Sequence, residues 1–373
     1  MLLGVRVVIA PDSFKGSLPA DRAAEAIAAG VVRVLPSAEP VLRPVADGGE
    51  GTVAAALRAG CTPRTARVSG PDGGPVDAVF AVDGTTAVLE LAAAAGLGRL
   101  ERPAPMTATT RGVGELVLAA LDTGARRVVL GLGGSATTDA GAGLLQALGV
   151  RLLDADGAEI PPGGAGLHRL DRIDAGALDA RLRTTSIVVA ADVDNPLTGA
   201  TGAAAVFGPQ KGASPEEVEV LDAGLARFAA VVRRDLGVEL LGTASLGAAG
   251  GTAAGLAAVL APSVVPGAAL VCDLVGLDGA LAGAALVVTG EGSLDAQTLH
   301  GKAPAEVAGR ARVAGVPCLA LAGRVDLSTS RLADAGFAAA HALTEVEPDV
   351  ARCLAEPARL LAELAARVVP GLV

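Results

Sequence analysis

Cysteine is scarce in this 373-residue chain, and the four present, Cys61, Cys272, Cys318 and Cys353, lie far apart. That separation excludes both metal-ligand spacing and a CxxC redox pair, and it suits free thiols in a reducing cytoplasm. The three histidines, His168, His300 and His341, are equally scattered, so no histidine metal site is expected and each reads as structural. Long hydrophobic runs are missing too. Although 51% of the chain is hydrophobic, runs such as 284–288 are far too short to cross a bilayer, and a soluble chain is expected. The first strand-like run, 5–10, contains Arg6 and ends in Pro11-Asp12 without a small-residue cleavage site, so no signal peptide is read. No basic cluster appears, and the net charge of −10 argues against a nucleic-acid or anionic-membrane partner.

Lysine is the sharpest scarcity. Of 30 cationic side chains only Lys15, Lys211 and Lys302 are lysines, and each adjoins a glycine. Arginine serves the solvated surface. A lysine beside a glycine pairs a compact mobile charge with a backbone that a ligand can approach closely, a combination suited to phosphate.

The length argues for two domains, which implies a cleft. Residues 5–60 read as strand 5–10, helix 19–35, strand 41–46 and helix 52–59, with Ser17 as a cap and Pro19 in the first helical turn. Ala23, Ile27, Val31 and Val34 recur at helical spacing on one face. The rhythm resumes with strand 284–289, helix 303–314, strand 318–322, helix 327–335, strand 337–342 and a last helix ending at 368. These strands are nearly continuous apolar runs, as expected when both faces are buried in a parallel sheet. Two N-terminal and three C-terminal strands would complete a five-stranded doubly wound α/β domain from residues 1–66 and 284–373. Residues 67–283 then form a second α/β domain inserted into the first.

Ligands of open parallel sheets bind beyond the carboxyl ends of the strands. Here those ends carry acids, glycines and cations: Asp12-Ser13-Phe14-Lys15-Gly16, Asp47-Gly48-Gly49-Glu50, Gly290-Glu291-Gly292 and Gly323-Arg324-Val325-Asp326. Asp12, Asp47 or Glu50 could hold substrate hydroxyls or magnesium, which prefers carboxylate and phosphate oxygens. Helix caps are the bland alternative for such acids. In the insert, strand 127–130 runs into Gly131-Leu132-Gly133-Gly134-Ser135-Ala136-Thr137-Thr138-Asp139, and the backbone amides and hydroxyls of this loop suit nucleotide phosphates. The same loop fits a loose G-x-G-x-x-A pattern followed by Asp154, which keeps a nicotinamide-dependent oxidoreductase open, although Asp139 would oppose pyrophosphate. Strand 186–190 ends in Asp192-Val193-Asp194-Asn195-Pro196. A carboxylate there could deprotonate an attacking hydroxyl, and Lys211 could offset charge on a phosphoryl group; a plain turn is the alternative. Ser214-Pro215-Glu216-Glu217 is a capping box. Gly301-Lys302 is not a Walker A loop, because Ala296 and Ala303 stand where that motif needs glycine and a hydroxyl.

Taken in order, DSFKGS, PVADGGEGT, GLGGSATTDAG, DVDNP, FGPQKGAS and TGEGSLDAQTLHGK resemble the type I glycerate kinases over nearly the whole chain, including Glu90-Leu91-Ala92 and Thr110-Arg111-Gly112. The resemblance implies a flavodoxin-like domain interrupted by a second α/β domain, with ATP and Mg2+ as cofactors. It also implies D-glycerate as acceptor and transfer to its 2-hydroxyl. Carried over by position, it supports Lys15, Asp47, Asp192, Asn195, Lys211 and Lys302 as site residues. Our own assignment of roles makes Asp192 the base, with Lys15 and Asp47 catalytic. Asp12, Ser13, Gly48, Gly49, Arg111, Asn195 and Lys302 are the substrate candidates, Gly133, Gly134, Ser135, Thr137 and Lys211 the ATP candidates, and Glu50 the metal candidate. With no Tyr or Trp, adenine is expected among aliphatic side chains. The chain departs from the family pattern at Gly16, Thr138 and Ser293. A homodimer and a non-catalytic ligand-binding protein on the same scaffold stay open.

Overall fold

The computed structural model describes residues 5–299 and 301–372, so His300 lies outside the described residues. The chain divides into two compact units, one of residues up to 47, 54–60 and 266 onward, the other of 48–53 and 61–265.

The first unit is built on a five-stranded parallel sheet in the order Ala339–Ala342, Cys318–Ala322, Leu286–Thr289, Val5–Ile9, Ala38–Leu42. Two strands come from the N-terminal segment and three from the C-terminal one, as the apolar runs predict. Every residue of Leu286–Thr289 and Cys318–Ala322 is buried, because helices cover both faces. Helix Ala20–Val34 turns Ala23, Ala24, Ile27 and Val31 inward and packs on helix Pro357–Val368. Gly30 sets the approach of these two helices, since a Cβ there would lie 2.2 Å from the Ala362 carbonyl oxygen.

Local readings shift in places. Pro19, not Ser17, occupies the N-cap of the first helix, and the Ser17 hydroxyl instead donates to the Phe14 carbonyl at 3.0 Å. The second strand covers Ala38–Leu42 rather than 41–46. It is an edge strand, and the buried Val45 and Ala46 belong to the loop beyond it. The last helix is broken into Val350–Ala355 and Pro357–Val368, as proline inside a helical run dictates. Helices Gly267–Leu274 and Leu277–Leu281, expected in the insert, share a core with Val8, Val287 and Ala320 of the first unit through Val271, Cys272 and Leu277. The unit boundary therefore falls at 265/266 instead of 283/284.

The second unit carries a six-stranded sheet in the order Ser263–Val265, Ser186–Ala190, Arg127–Gly131, Thr86–Glu90, Pro75–Asp83, Thr62–Ser69. The first four are parallel and the last two antiparallel. Leu89, Leu130, Leu144, Val189 and Phe228 belong to its core. Helix Pro215–Leu236 opens with the expected capping box, Ser214 Oγ accepting from the Glu217 N–H. Among the described residues no helix is long and apolar enough to cross a membrane. The doubly wound α/β architecture with a second α/β unit set into it is thus as the sequence led us to expect.

Candidate active site

In the first unit the loops 11–16 and 290–292 flank the point where strand order reverses, between Val5–Ile9 and Leu286–Thr289. The two loops are locked together. The Asp12 N–H donates to the Gly290 carbonyl at 2.8 Å, and Gly290 admits no side chain because a Cβ would lie 1.8 Å from the Leu321 carbonyl oxygen. Around them lies a cavity of about 430 Å³ whose walls include Asp12, Ser13, Lys15, Asp47, Glu291 and Lys302. Five of these six are expected site residues, and they come from three segments far apart in sequence. Glu291, read only as part of a strand-end pattern, joins them.

The cavity interleaves three acids with the cations Lys15, Lys302 and Arg324. Asp12 is 5% exposed, and burial, aided by the charges of Asp47 and Glu291, pushes its carboxyl up to about 7. Burial also raises Glu291, opposed by the Thr298 hydroxyl that donates to it at 2.5 Å and by Lys302, whose Nζ lies 3.6 Å away. Lys15 Nζ stands 3.7 Å from Asp47 Oδ2 with most of its side chain in solvent. Such an exposed pair holds weakly, so the ammonium can be given over to an arriving anion. Leu343, Thr344, Val350, Cys353 and Leu354 complete the wall. Sequence reading missed this side. The end of the fifth strand was the available signal, since Ala339–Ala342 delivers Leu343 and Thr344 to the same edge.

The second unit gathers the other expected residues. Glu90, Gly131 and Ala190 are in parallel register on adjacent strands, so the loops after them leave the sheet at one end. Lys211 is 2% exposed there, its Nζ donating to Ser135 Oγ at 2.9 Å and to the Thr137 carbonyl at 2.6 Å. Burial lowers its ammonium to about 7, with Asp139 acting in the opposite direction. Among the described residues the Thr137 and Thr138 hydroxyls, both buried, have no hydrogen-bond partner. The half-buried Asp192 follows strand Ser186–Ala190, and Asn195 donates to the Thr201 carbonyl at 2.8 Å.

Two of the glycines are required by packing alone, whatever they also bind. A Cβ on Gly131 would lie 2.4 Å from the Gly48 carbonyl oxygen, and one on Gly133 would lie 2.4 Å from Gly49 Cα, so two glycine-bearing backbones touch directly. Gly134 holds a left-handed φ of 73°. Asp139, expected to oppose a pyrophosphate, is wholly buried and accepts hydrogen bonds from Thr110, Gly141 and Gly143, while burial raises its carboxyl. Asp154 organises a turn, accepting from the Asp156 and Ala158 N–H groups and from Arg169. Glu50 is exposed beside the helix whose first N–H groups, those of Gly51 and Val53, donate to Glu90. Arg111 pairs with Glu115 at 3.2 Å and lines a separate cavity of about 470 Å³ with Gln146, Arg151 and Glu159, apart from the lysine and its loop. Among the described residues no group of three or more His, Cys, Asp or Glu is placed to hold a metal ion.

A sequence profile of the glycerate kinase family matches residues 7–372. The chain is 47% identical over 339 residues to a glycerate kinase of Bacillus subtilis (strain 168), covering 89% of this chain and 88% of the relative. It is 45% identical over 324 residues to glycerate 2-kinase of Escherichia coli (strain K12), covering 86% of this chain and 85% of the relative. A crystal structure of a Salmonella typhimurium LT2 protein put forward as glycerate kinase 2 superposes with a TM-score of 0.83 at 42% identity, over 98% of this chain and 99% of that one. The resemblance carried by the six motifs is therefore borne out: this chain belongs to the glycerate kinase family and is a phosphotransferase.

Proposed function

We propose that the chain transfers the γ-phosphate of ATP to the 2-hydroxyl of D-glycerate, giving 2-phosphoglycerate and ADP. The observation that carries this reading is the cavity of the first unit, where Asp12, Asp47 and Glu291 offer acceptors for hydroxyl groups beside the ammonium groups of Lys15 and Lys302. A small polyhydroxylated acid needs that combination, because its carboxylate requires a cation and each hydroxyl requires an acceptor. The relative from Escherichia coli, named glycerate 2-kinase, supports the 2-position.

In this reading Asp192 accepts the proton of the 2-hydroxyl as its oxygen attacks the γ-phosphorus, and the bond to the β,γ-bridging oxygen breaks with its electron pair leaving on ADP. Ser135, Thr137 and the backbone of Gly133 and Gly134 receive phosphate oxygens, and Lys211 keeps that loop in shape through its hydrogen bonds to Ser135 and the Thr137 carbonyl. Asn195 remains a candidate for the acceptor, as do the hydroxyl and backbone donors of Ser13, Gly48 and Gly49, whereas Arg111, paired with Glu115 in a separate cavity, is dropped from that set. A magnesium ion fits an exposed single carboxylate such as Glu50 only when phosphate oxygens supply most of its ligands, which is its usual habit. Bound in that way, it neutralises charge on the transferring phosphoryl group. Four free thiols accord with residence in the cytoplasm. The test is ADP release from ATP and Mg2+ that depends on D-glycerate; nicotinamide reduction in its place would refute the reading.

A further inference from the structure

The cavity of the first unit is larger and less polar than a three-carbon dihydroxy acid requires. Its charged lining comes from Asp12, Lys15, Asp47, Glu291, Lys302 and Arg324. Apart from Thr344, the stretch of wall from Leu343 to Leu354 is apolar, made of Leu343, Val350, Cys353 and Leu354. Leu343 and Cys353 are buried, but Val350 and Leu354 leave 61% and 58% of their surface exposed. These two stand one helical turn apart in Val350–Ala355, with the cavity-lining Cys353 between them in sequence. Glycerate, polar at every carbon, gains nothing from such a wall. The total volume of about 430 Å³ falls in the range of sites for much larger ligands.

Two kinds of occupant could use an apolar wall beside charged loops, a nucleoside phosphate or a hydroxy acid with an alkyl tail. The glycine-rich loop of the second unit takes the nucleotide phosphates in the function proposed above, which leaves this cavity to the acceptor. Asp12, Asp47 and Glu291 share the cavity with Lys15, Lys302 and Arg324, so a singly charged acid finds a cation for its carboxylate and acceptors for its hydroxyls. We infer that the cavity admits, and the enzyme phosphorylates, 2-hydroxy acids bearing a branched alkyl substituent, with the alkyl group lying against Leu343, Val350, Cys353 and Leu354. The inference rests on the reading of this cavity as the acceptor site. The chemistry is unchanged: the 2-hydroxyl oxygen forms the new bond to the γ-phosphorus, the bridging oxygen leaves with ADP, and the hydroxyl proton passes to the base.

The experiment supplies ATP and Mg2+ with either D-glycerate or (R)-2-hydroxy-4-methylpentanoate, follows ADP, and identifies the phosphoester by mass and phosphorus NMR. The branched acid is expected to turn over with kcat/KM within about a hundredfold of that for D-glycerate, the scale on which apolar pockets discriminate. Leu354→Asp should lower the ratio of branched-acid to glycerate kcat/KM by about tenfold or more. Turnover of D-glycerate with neither turnover of nor competition by the branched acid at about 10 mM, above the usual range of KM, overturns the inference while leaving the kinase reading intact. A Leu354→Asp enzyme altered in KM for ATP alone also overturns it, because the wall would then serve the base. No ADP from either acid refutes both readings together.

Discussion

The ammonium of Lys211 lies 2.6 Å from the Thr137 carbonyl oxygen and 2.9 Å from Ser135 Oγ, shut away from water. Burial lowers its proton affinity to about 7, against an ordinary value of 10.5. Between those values the unfolded chain holds a proton that the native protein has released, so this group makes stability rise with pH from about 7 to about 10. In Lys211→Met that rise should disappear, as measured by urea unfolding at pH 7 and pH 9.5. Parallel curves for the two proteins would show that the lysine keeps its charge inside the fold.

Asp12 presents the opposite case. Its carboxyl keeps a proton up to about 7 in the folded protein but loses it near 3.8 when unfolded, so stability falls as pH rises through that window. Asp12→Asn removes the fall. Urea unfolding at pH 4.5 and 7.5 should show the variant gaining on the native protein by about 3 kcal/mol across that interval. A constant difference would place Asp12 in a wetter environment than its burial implies.

Asp192→Asn tests the base. The substitution keeps shape and removes proton acceptance, and kcat should fall by about 10²- to 10⁴-fold with the melting temperature little changed. Near-normal turnover would remove Asp192 from that role.

Lys302 is tied to Glu291 at 3.6 Å on the wall of the cavity in the first unit. If it receives the carboxylate of the acceptor, Lys302→Ala should raise KM for D-glycerate about ten- to a hundredfold, the scale of a charge-assisted hydrogen bond, with KM for ATP much less affected. A change confined to KM for ATP would reassign it to the nucleotide.

Gly290 has no room for a methyl group, since a Cβ would meet the Leu321 carbonyl oxygen at 1.8 Å. Gly290→Ala forces two adjacent strand ends apart and should cost about 3 kcal/mol of stability in chemical denaturation. An unchanged unfolding midpoint would mean that the Gly290 and Leu321 backbones separate freely.

The sheet of the first unit was legible because its interior strands are buried on both faces and therefore read as unbroken apolar runs, Leu286–Thr289 and Cys318–Ala322 above all. Ala38–Leu42 was misplaced because an edge strand carries a weaker pattern, and the apolar Val45 and Ala46 behind it mimic one. Strand-end acids pointed to the polar half of the cavity, since each loop announces itself locally. Its apolar half did not, because Val350, Cys353 and Leu354 in a short helix look the same whether they face a core or a pocket. Other features depend on long-range partners that no local pattern records. Lys211 beside Gly212 reads as a phosphate-site lysine, but its burial shows only when Ser135 and Thr137 close over it, and Asp139 finds Thr110 29 residues earlier. Gly131 and Gly133 are required by Gly48 and Gly49, a pairing of backbones invisible in either segment alone.

The most direct test of the account is the proton-coupled phosphorus NMR spectrum of the product formed from D-glycerate, ATP and Mg2+. Transfer to the 2-hydroxyl predicts a doublet from the lone hydrogen on C2, appearing in step with ADP. A triplet from the two hydrogens on C3, or no organic phosphoester at all, would contradict it.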